Sequence, residues 1–129
     1  MTEFSKALSV SASGLNAQSS RIRHLSENIS NADTPGYRRK TIPFETAFGA
    51  EGVATVEPGR VSLDRTELER VYDPSHPMAD DTGHYDGSNV NLLIELADAR
   101  EAQRSYQANL KMFEQARSMS SSLMQLLRR

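Results

Sequence analysis

Leu8, Leu15, Ile22 and Ile29 recur every seven residues at the start of this 129-residue chain. Phe4 and Leu25 lie beside the stripe, and Ala12 and Ser19 fill small positions within it. A strict spacing of seven suits a left-handed supercoil better than an isolated straight helix. The pattern predicts one helix over residues 1–33, and about 31 helical residues span roughly 47 Å at 1.5 Å per residue, too long to pack inside a globule of this size. Its stripe is narrow and rich in Ser and Ala, and Gly14 within it costs about 1 kcal/mol relative to alanine. Such a helix needs partners. The stretch Asn28-Ile-Ser-Asn-Ala-Asp-Thr-Pro-Gly-Tyr ends it. Pro35 pushes Thr34 out of the α region and lacks the N–H that a ladder needs. Gly36 can take a positive φ, and Asn28, Asn31, Asp33 and Thr34 offer short side chains to freed backbone groups.

A second helical pattern follows Asn91, the predicted N-cap, and runs to about Leu127. Leu92, Leu96, Ala99, Ala102, Tyr106, Leu110, Phe113, Ala116, Leu123 and Leu127 keep near 3–4 spacing, with no proline or glycine after Gly87. This helix spans about 54 Å. The pattern therefore predicts a mainly α fold, in which two long terminal helices pair as an antiparallel coiled coil. The middle of the chain protrudes from the far end as a small extended or β-hairpin segment. The divisions fall at residues 1–34, 35–88 and 89–129.

Between the helices the period changes. Pro43, Phe44 and Phe48 are placed to pack a linker, Gly52 to Glu57 alternates, and Pro58-Gly59 signals a turn. Arg60 to Asp64 alternates again, and Leu68 to Asp73 offers a third extended run. Two or three short strands are marginal unless they rest on another surface. Asp73 to Asp80 and Asp81 to Gly87 read as turn-rich loops.

Composition narrows the function. The chain is 37% hydrophobic with four Phe, four Tyr and no Trp, which is thin for a compact core. A net charge of −2 gives no pull toward nucleic acid. No run approaches the length of a membrane span, so membrane insertion is not expected. Glu3 and the serines at 5, 9, 11 and 13 do not suit a cleaved secretory signal. Residues 1–40 carry a net +3, residues 41–91 a net −7 and residues 92–129 a net +2. That layout lets neighbouring copies attract through unlike regions.

Chemistry is sparse. There is no cysteine and no Gly-rich phosphate loop, His-Glu-x-x-His or Gly-x-Ser-x-Gly. No catalytic residue, metal site or cofactor is predicted. His76, Asp80, Asp81, His84 and Asp86 suggest a metal, but as a calcium loop ending at Glu95 the segment places Asn89 where the glycine belongs. A solvated acidic loop is the simpler reading. Arg38, Arg39 and Lys40 read as a solvated turn, and His24 as a surface residue.

Asn28 to Tyr37, preceded by Ser13-Gly-Leu-Asn-Ala-Gln, resembles the N-terminal signature of the bacterial flagellar rod, hook and hook–filament-junction proteins. Asp73-Pro-Ser-His-Pro-Met-Ala-Asp, Asn89-Val-Asn, Arg104-Ser-Tyr-Gln-Ala-Asn and Ala116-Arg-Ser-Met are similar to the short proximal-rod members of that family. The segment Tyr85-Asp-Gly-Ser departs from their hydrophobic-proline pattern. The resemblance implies a non-enzymatic structural subunit of the periplasmic rod, exported through the flagellar secretion apparatus without a cleaved signal peptide. It implies helical assembly that transmits torque and lines the export channel. Its partners would be copies of itself, other rod proteins and the export apparatus. Asn28, Ile29, Asn31, Thr34, Pro35, Gly36 and Tyr37 then form an assembly joint, and Asp73, Pro74, His76 and Pro77 a second recognised loop. Leu8, Leu15, Ile22, Ile29, Leu92, Leu96, Tyr106, Leu110 and Phe113 form helix interfaces. Periodicity alone also allows a coiled-coil adaptor, and the family also contains another short proximal-rod protein.

Overall fold

A computed structural model describes residues 3–49 and 51–128. It contains two long helices, α1 (Glu3–Ser30) and α2 (Leu92–Leu127). Between them lie the short strands β1 (Lys40–Thr41), β2 (Phe44–Phe48), β3 (Ala54–Pro58), β4 (Ser62–Leu63), β5 (Arg70–Tyr72) and β6 (His84–Asp86). The first two residues of the expected N-terminal helix lie outside the described residues, and its last turn is replaced by hydrogen-bonded turns from Asn31. α2 begins where its cap predicts: the Asn91 side chain accepts from the backbone N–H groups of Leu93 and Ile94.

Along α1, partners on α2 run in the opposite order. Phe4 and Ser11 lie with Met112 and Met119 around a shallow depression. Gly14 faces Asn109, Arg21 reaches Glu101 at 3.5 Å, and Asn28 reaches Glu95. Small residues set the spacing. Ala17 and Ala102 are fully buried, and a Cβ on Gly14 would stand 2.9 Å from Asn109 Oδ1. Gly14 is thus the point of close helix approach, which explains a residue that costs helix propensity.

This small-residue seam differs from the apolar stripes expected from spacing. Leu8, Leu15, Ile22 and Ile29 are only half-buried, whereas Ser11, Ala17, Leu25 and Asn28 are buried. On α2, Tyr106 and Phe113 are half-buried, but Leu92, Leu96 and Leu110 remain 46%, 49% and 36% exposed. The fully buried contact between the helices lies elsewhere on α2. Glu95 and Ala102 hold its centre, one helical face away from those leucines.

The first half of the middle segment folds back along α1 rather than protruding. β2 and β3 pair antiparallel from Phe44↔Pro58 to Phe48↔Ala54, and β1 and β4 extend the same hairpin with Lys40↔Leu63 and Thr41↔Ser62. Between the two ladders Ile42 and Pro43 oppose Gly59, Arg60 and Val61, a bulge in the second strand. The Pro58-Gly59 turn signal therefore marks this bulge rather than a hairpin tip. Gly59 suits the bulge, because a Cβ there would stand 2.9 Å from Cγ of the rigid Pro43 ring. The alternating run at 52–57 does become a strand, but its partner is Phe44–Phe48, not 60–64. The hairpin folds back along α1, where the Val56 N–H donates to Ser13 Oγ at 3.2 Å. Two strands are marginal alone, and α1 supplies the surface that they need.

A second hairpin joins β5 to β6, with Val71↔Tyr85 at its centre. The run at 68–73 is thus a strand as expected, while its partner lies inside the piece read as turns. Among the described residues the buried apolar side chains are Ala17, Leu25 and Ala102 alone; Ser11, Asn28, Ser88 and Glu95 are the buried polar ones.

Candidate functional site

The most ordered chemistry lies where α1 ends, α2 begins and the connector leaves. Asn28, in the last turn of α1, is fully buried with Glu95 of α2. Its Oδ1 accepts from the Tyr37 hydroxyl at 2.8 Å and the Lys40 N–H at 2.9 Å. Its Nδ2 donates to the Lys40 carbonyl at 2.9 Å and to Glu95 Oε2 at 3.4 Å. An amide side chain has two donor hydrogens and two acceptor lone pairs, and Asn28 fills all four.

Glu95 is a carboxylate with no exposed surface, and such a charge survives only when paired. The Arg39 Nε–H donates to its Oε1. The same guanidinium lies 3.5 Å from Asp64 and 3.6 Å from Asp98. Asn89 ties the backbone at residues 64–66 to Arg39. Its Oδ1 accepts from the Arg39 N–H at 2.6 Å, and its Nδ2 donates to the Asp64 and Thr66 carbonyls. Ser88, also buried, donates from its hydroxyl to the Ala32 carbonyl.

The helix-ending stretch closes this knot. Gly36 sits at φ 75° and donates its N–H toward the Asp86 and Gly87 carbonyls, so a left-handed residue is needed where the connector crosses back. Asn31 Nδ2 donates to the Glu27 carbonyl at 2.8 Å, and the Thr34 hydroxyl donates to Asn31 Oδ1. Pro35 and Ile29 are half-buried beside them. Burial, followed by the nearby Glu27 charge, raises the Tyr37 hydroxyl above its usual pKa. The Lys40 hydrogen bond holds the Glu27 carboxyl low and the Lys40 ammonium high. Hydrogen bonds from Thr66 lower Asp64.

Three sequence readings change here. Arg39 and Lys40 are committed ion-pair partners rather than a solvated turn. His24 is not a surface residue: its side chain is 12% exposed and its Nδ1 lies 3.8 Å from Glu27. In the sequence Glu95 is the last position of the failed calcium-loop match and one charge among the apolar positions that open α2, in helical line with Ala102. Its partner Arg39 is distant along the chain.

The loop residues serve the second hairpin. Asp73 Oδ1 accepts from Ser75, Pro74 lies against Gly83, and the His76 ring stacks on Tyr85 with centroids 3.9 Å apart. Pro77 is exposed. Asp80 and Asp86 both receive Arg70, at 2.6 and 2.9 Å. The Thr82 hydroxyl and then Arg70 hold Asp80 well below the usual carboxylate range. Among the described residues no group of three or more His, Cys, Asp or Glu side chains is placed to hold a metal ion. The departing segment Tyr85-Asp-Gly-Ser thus supplies the ring that packs on His76 and the buried Ser88.

Sequence models of two families match the two ends of the chain. The flagella basal body rod protein family covers residues 8–38, and the C-terminal family of flagellar basal body rod FlgEFG proteins covers residues 82–126. Between them they contain Asn28, Tyr37, Asn89 and Glu95 of the junction. The flagellar basal-body rod protein FlgC of Agrobacterium fabrum is 44% identical over 99% of this chain and 98% of its own length. The chain belongs to the FlgC family of flagellar basal-body rod proteins. Family members from Salmonella typhimurium and Aquifex aeolicus are each 33% identical, over 85% and 88% of this chain and 87% and 89% of theirs. As a FlgC-family protein it is a structural subunit of the flagellar basal-body rod and assembles with other rod components. Near-full-length identity to FlgC proteins favours this member over the other short rod protein and over a generic adaptor. No helix among the described residues is long and apolar enough to cross a membrane.

Proposed function

We propose that this chain builds the proximal, periplasmic part of the rod by helical assembly, transmitting motor torque and lining the export channel with its paired helices. On this reading α1 and α2 form an antiparallel coiled coil facing the channel. Residues 35–88 form the outer connector, and the subunit reaches its place through the flagellar export apparatus. Its work is mechanical rather than catalytic, and it needs no cofactor.

The observation that carries this reading is the surface. The accessible area is 9103 Å² for a 14.3 kDa chain. A compact monomer of that mass exposes about 6,800 Å². Leu93, Leu126, Leu127 and Phe48 are all more than half exposed. A chain with so little interior gains its burial from neighbours, and that burial offsets the entropy of ordering two long helices. The junction then acts as the assembly joint: it fixes the angle between helix pair and connector, so that load on one reaches the other.

The test is complementation of a host lacking its own copy. Asn28→Leu leaves the Tyr37 hydroxyl and the Lys40 backbone without their partners, at about 1–3 kcal/mol for each buried group. The expected result is loss of swarming and of rods in purified basal bodies. Normal swarming, with the variant incorporated into intact rods, would overturn the joint assignment.

A further inference from the structure

Beyond its line of contact with α1, the surface of α2 divides into three strips. Ala102 marks that line, and successive residues turn by about 100°. Leu96 and Leu110 stand about a quarter turn to one side, 49% and 36% exposed. Met112 and Met119 stand about as far round on the other side, 63% and 51% exposed. The third strip, opposite α1, carries after Ala97 the exposed residues Arg100, Arg104, Gln107, Lys111, Ser118 and Ser122. Over that length it has no large apolar anchor of the kind a protein interface buries, so it suits the water of a channel. The apolar surface lies on the two flanks.

The flanks differ in shape. On the leucine side the strip continues onto α1. Arg21 reaches Glu101 on the methionine side, and Ile22, about 100° further round α1, turns with Leu15 to the leucine side, both half-buried. The β2–β3 hairpin is held at Ser13, which faces away from Leu15. The leucine side is thus an apolar ridge from which Leu110 projects. On the methionine side the connector covers the end near the junction, where Arg39 lies 3.6 Å from Asp98. Farther along that side is open, and Met112, Ala116 and Met119 line, with Phe4, Ala7 and Ser11, a depression of about 270 Å³. Methionine side chains adapt to an incoming group of irregular shape.

We propose that the leucine side of one copy docks on the methionine side of a second copy, with Leu110 entering the depression between Phe4, Met112 and Met119. Ridge and depression lie on opposite flanks of one helix pair, so a single chain cannot close the contact on itself and each copy offers both halves. A contact between unlike patches repeats head to tail into a ring or an open helix. Leu110 lies about five residues before the centre of the depression, a stagger of about 8 Å along the axis, and a staggered repeat is a helix rather than a flat ring. The accessible area exceeds that of a compact monomer by about 2,300 Å². Two patches of about 800 Å² per chain, the size that a specific contact needs, fit within that surplus. Docking flank to flank turns the polar strip of every copy to the same side, toward the channel. The pairing rests on the rod-subunit reading and names the sides through which its copies adjoin.

The test uses the full chain in a host lacking its own copy. Leu110→Lys and Met119→Glu are each expected to reduce swarming by about tenfold, because each buries an unpaired charge in the contact. Together they are expected to bring swarming back to within about threefold of the parent, as opposite charges then meet. Positions 110 and 119 stand on opposite flanks of α2, so only a pair formed between copies can restore it. A second measurement needs no charge: a benzophenone amino acid replaces Leu110 and is photolysed in purified basal bodies. The expected product is a dimer, linked to the peptide of another copy that contains Met112–Met119. Normal swarming of both single variants, no restoration by the double variant, or photoproducts absent or confined to other rod proteins would each overturn the contact between copies. Absence of the unaltered chain from purified basal bodies would instead defeat the rod-subunit reading.

Discussion

The junction predicts an asymmetry between its two buried partners. Arg39→Ala removes the guanidinium but leaves Glu95 with no exposed surface and only the Asn28 amide, at 3.4 Å, to receive its charge. Breaking a buried pair from one side costs about 3–5 kcal/mol, because the remaining charge is stranded. Arg39 is itself 25% exposed, so the lower end of that range applies. Glu95→Met removes the charge and keeps the volume, and replacements of that kind are near neutral. The double variant, with neither buried charge, should then be far more stable than Arg39→Ala alone. The reporter is the Lys40 amide, which is locked onto Asn28 Oδ1 at 2.9 Å. Native-state hydrogen exchange reads its opening directly. In Arg39→Ala it should exchange about 150-fold faster, the equivalent of about 3 kcal/mol. In Glu95→Met and in the double variant it should stay within about tenfold of the parent. An Arg39→Ala effect below about fivefold, or one that Glu95→Met does not reverse, would show that Glu95 is not held as a buried charge by Arg39.

Further expectations concern the rest of the molecule. Far-UV circular dichroism of the dilute chain should show much less helix than the 28 and 36 residues of α1 and α2 imply, since their distal halves await neighbours; full helicity independent of concentration would count against assembly-coupled ordering. Glu27, Asp64 and Asp80 have lowered pKa values when folded, so their contribution is complete above about pH 4 and lost as the pH falls through the lowered values. Tyr37 is raised, so its contribution is complete below about pH 10 and lost as the pH rises through the raised value; acid and alkaline unfolding followed by tyrosine absorbance would expose an opposite sign in either case. Gly14→Leu should part the helices at Asn109 and abolish swarming despite better helix propensity, and a swarming variant would remove the close approach from the argument. Alanine at both His76 and His84 should leave swarming intact, at about 1 kcal/mol for the lost ring stacking on Tyr85; loss of swarming that added metal restores would show a metal site instead.

How much of this was legible depends on how local the cause is. The extents of α1 and α2, the Asn91 cap and the break at Thr34-Pro-Gly follow from propensity, period and capping, which act within a few residues. The signature and the Asp73–Asp80 loop pointed to the rod proteins for the same reason, as runs of neighbouring residues. Strand partners were less legible. Phe44–Phe48 pairs across a loop with Ala54–Pro58, and the Gly59 bulge shifts the next ladder by one residue, which alternation does not encode.

The chain alone therefore determined two helices, a polar break after the first and a shortage of core-forming side chains, since each depends on composition or short-range sterics. The folded arrangement determined which face of each helix is used. Close approach through Gly14, Ala17 and Ala102 displaced the leucine stripes that spacing favoured, because packing selects by volume as well as apolarity. It also determined what Asn28 and Glu95 are for. Their partners Tyr37, Arg39 and Lys40 lie in the connector, Asn89 ahead of α2 braces the Arg39 backbone, and only the crossing of these segments makes a buried amide and a buried carboxylate tolerable.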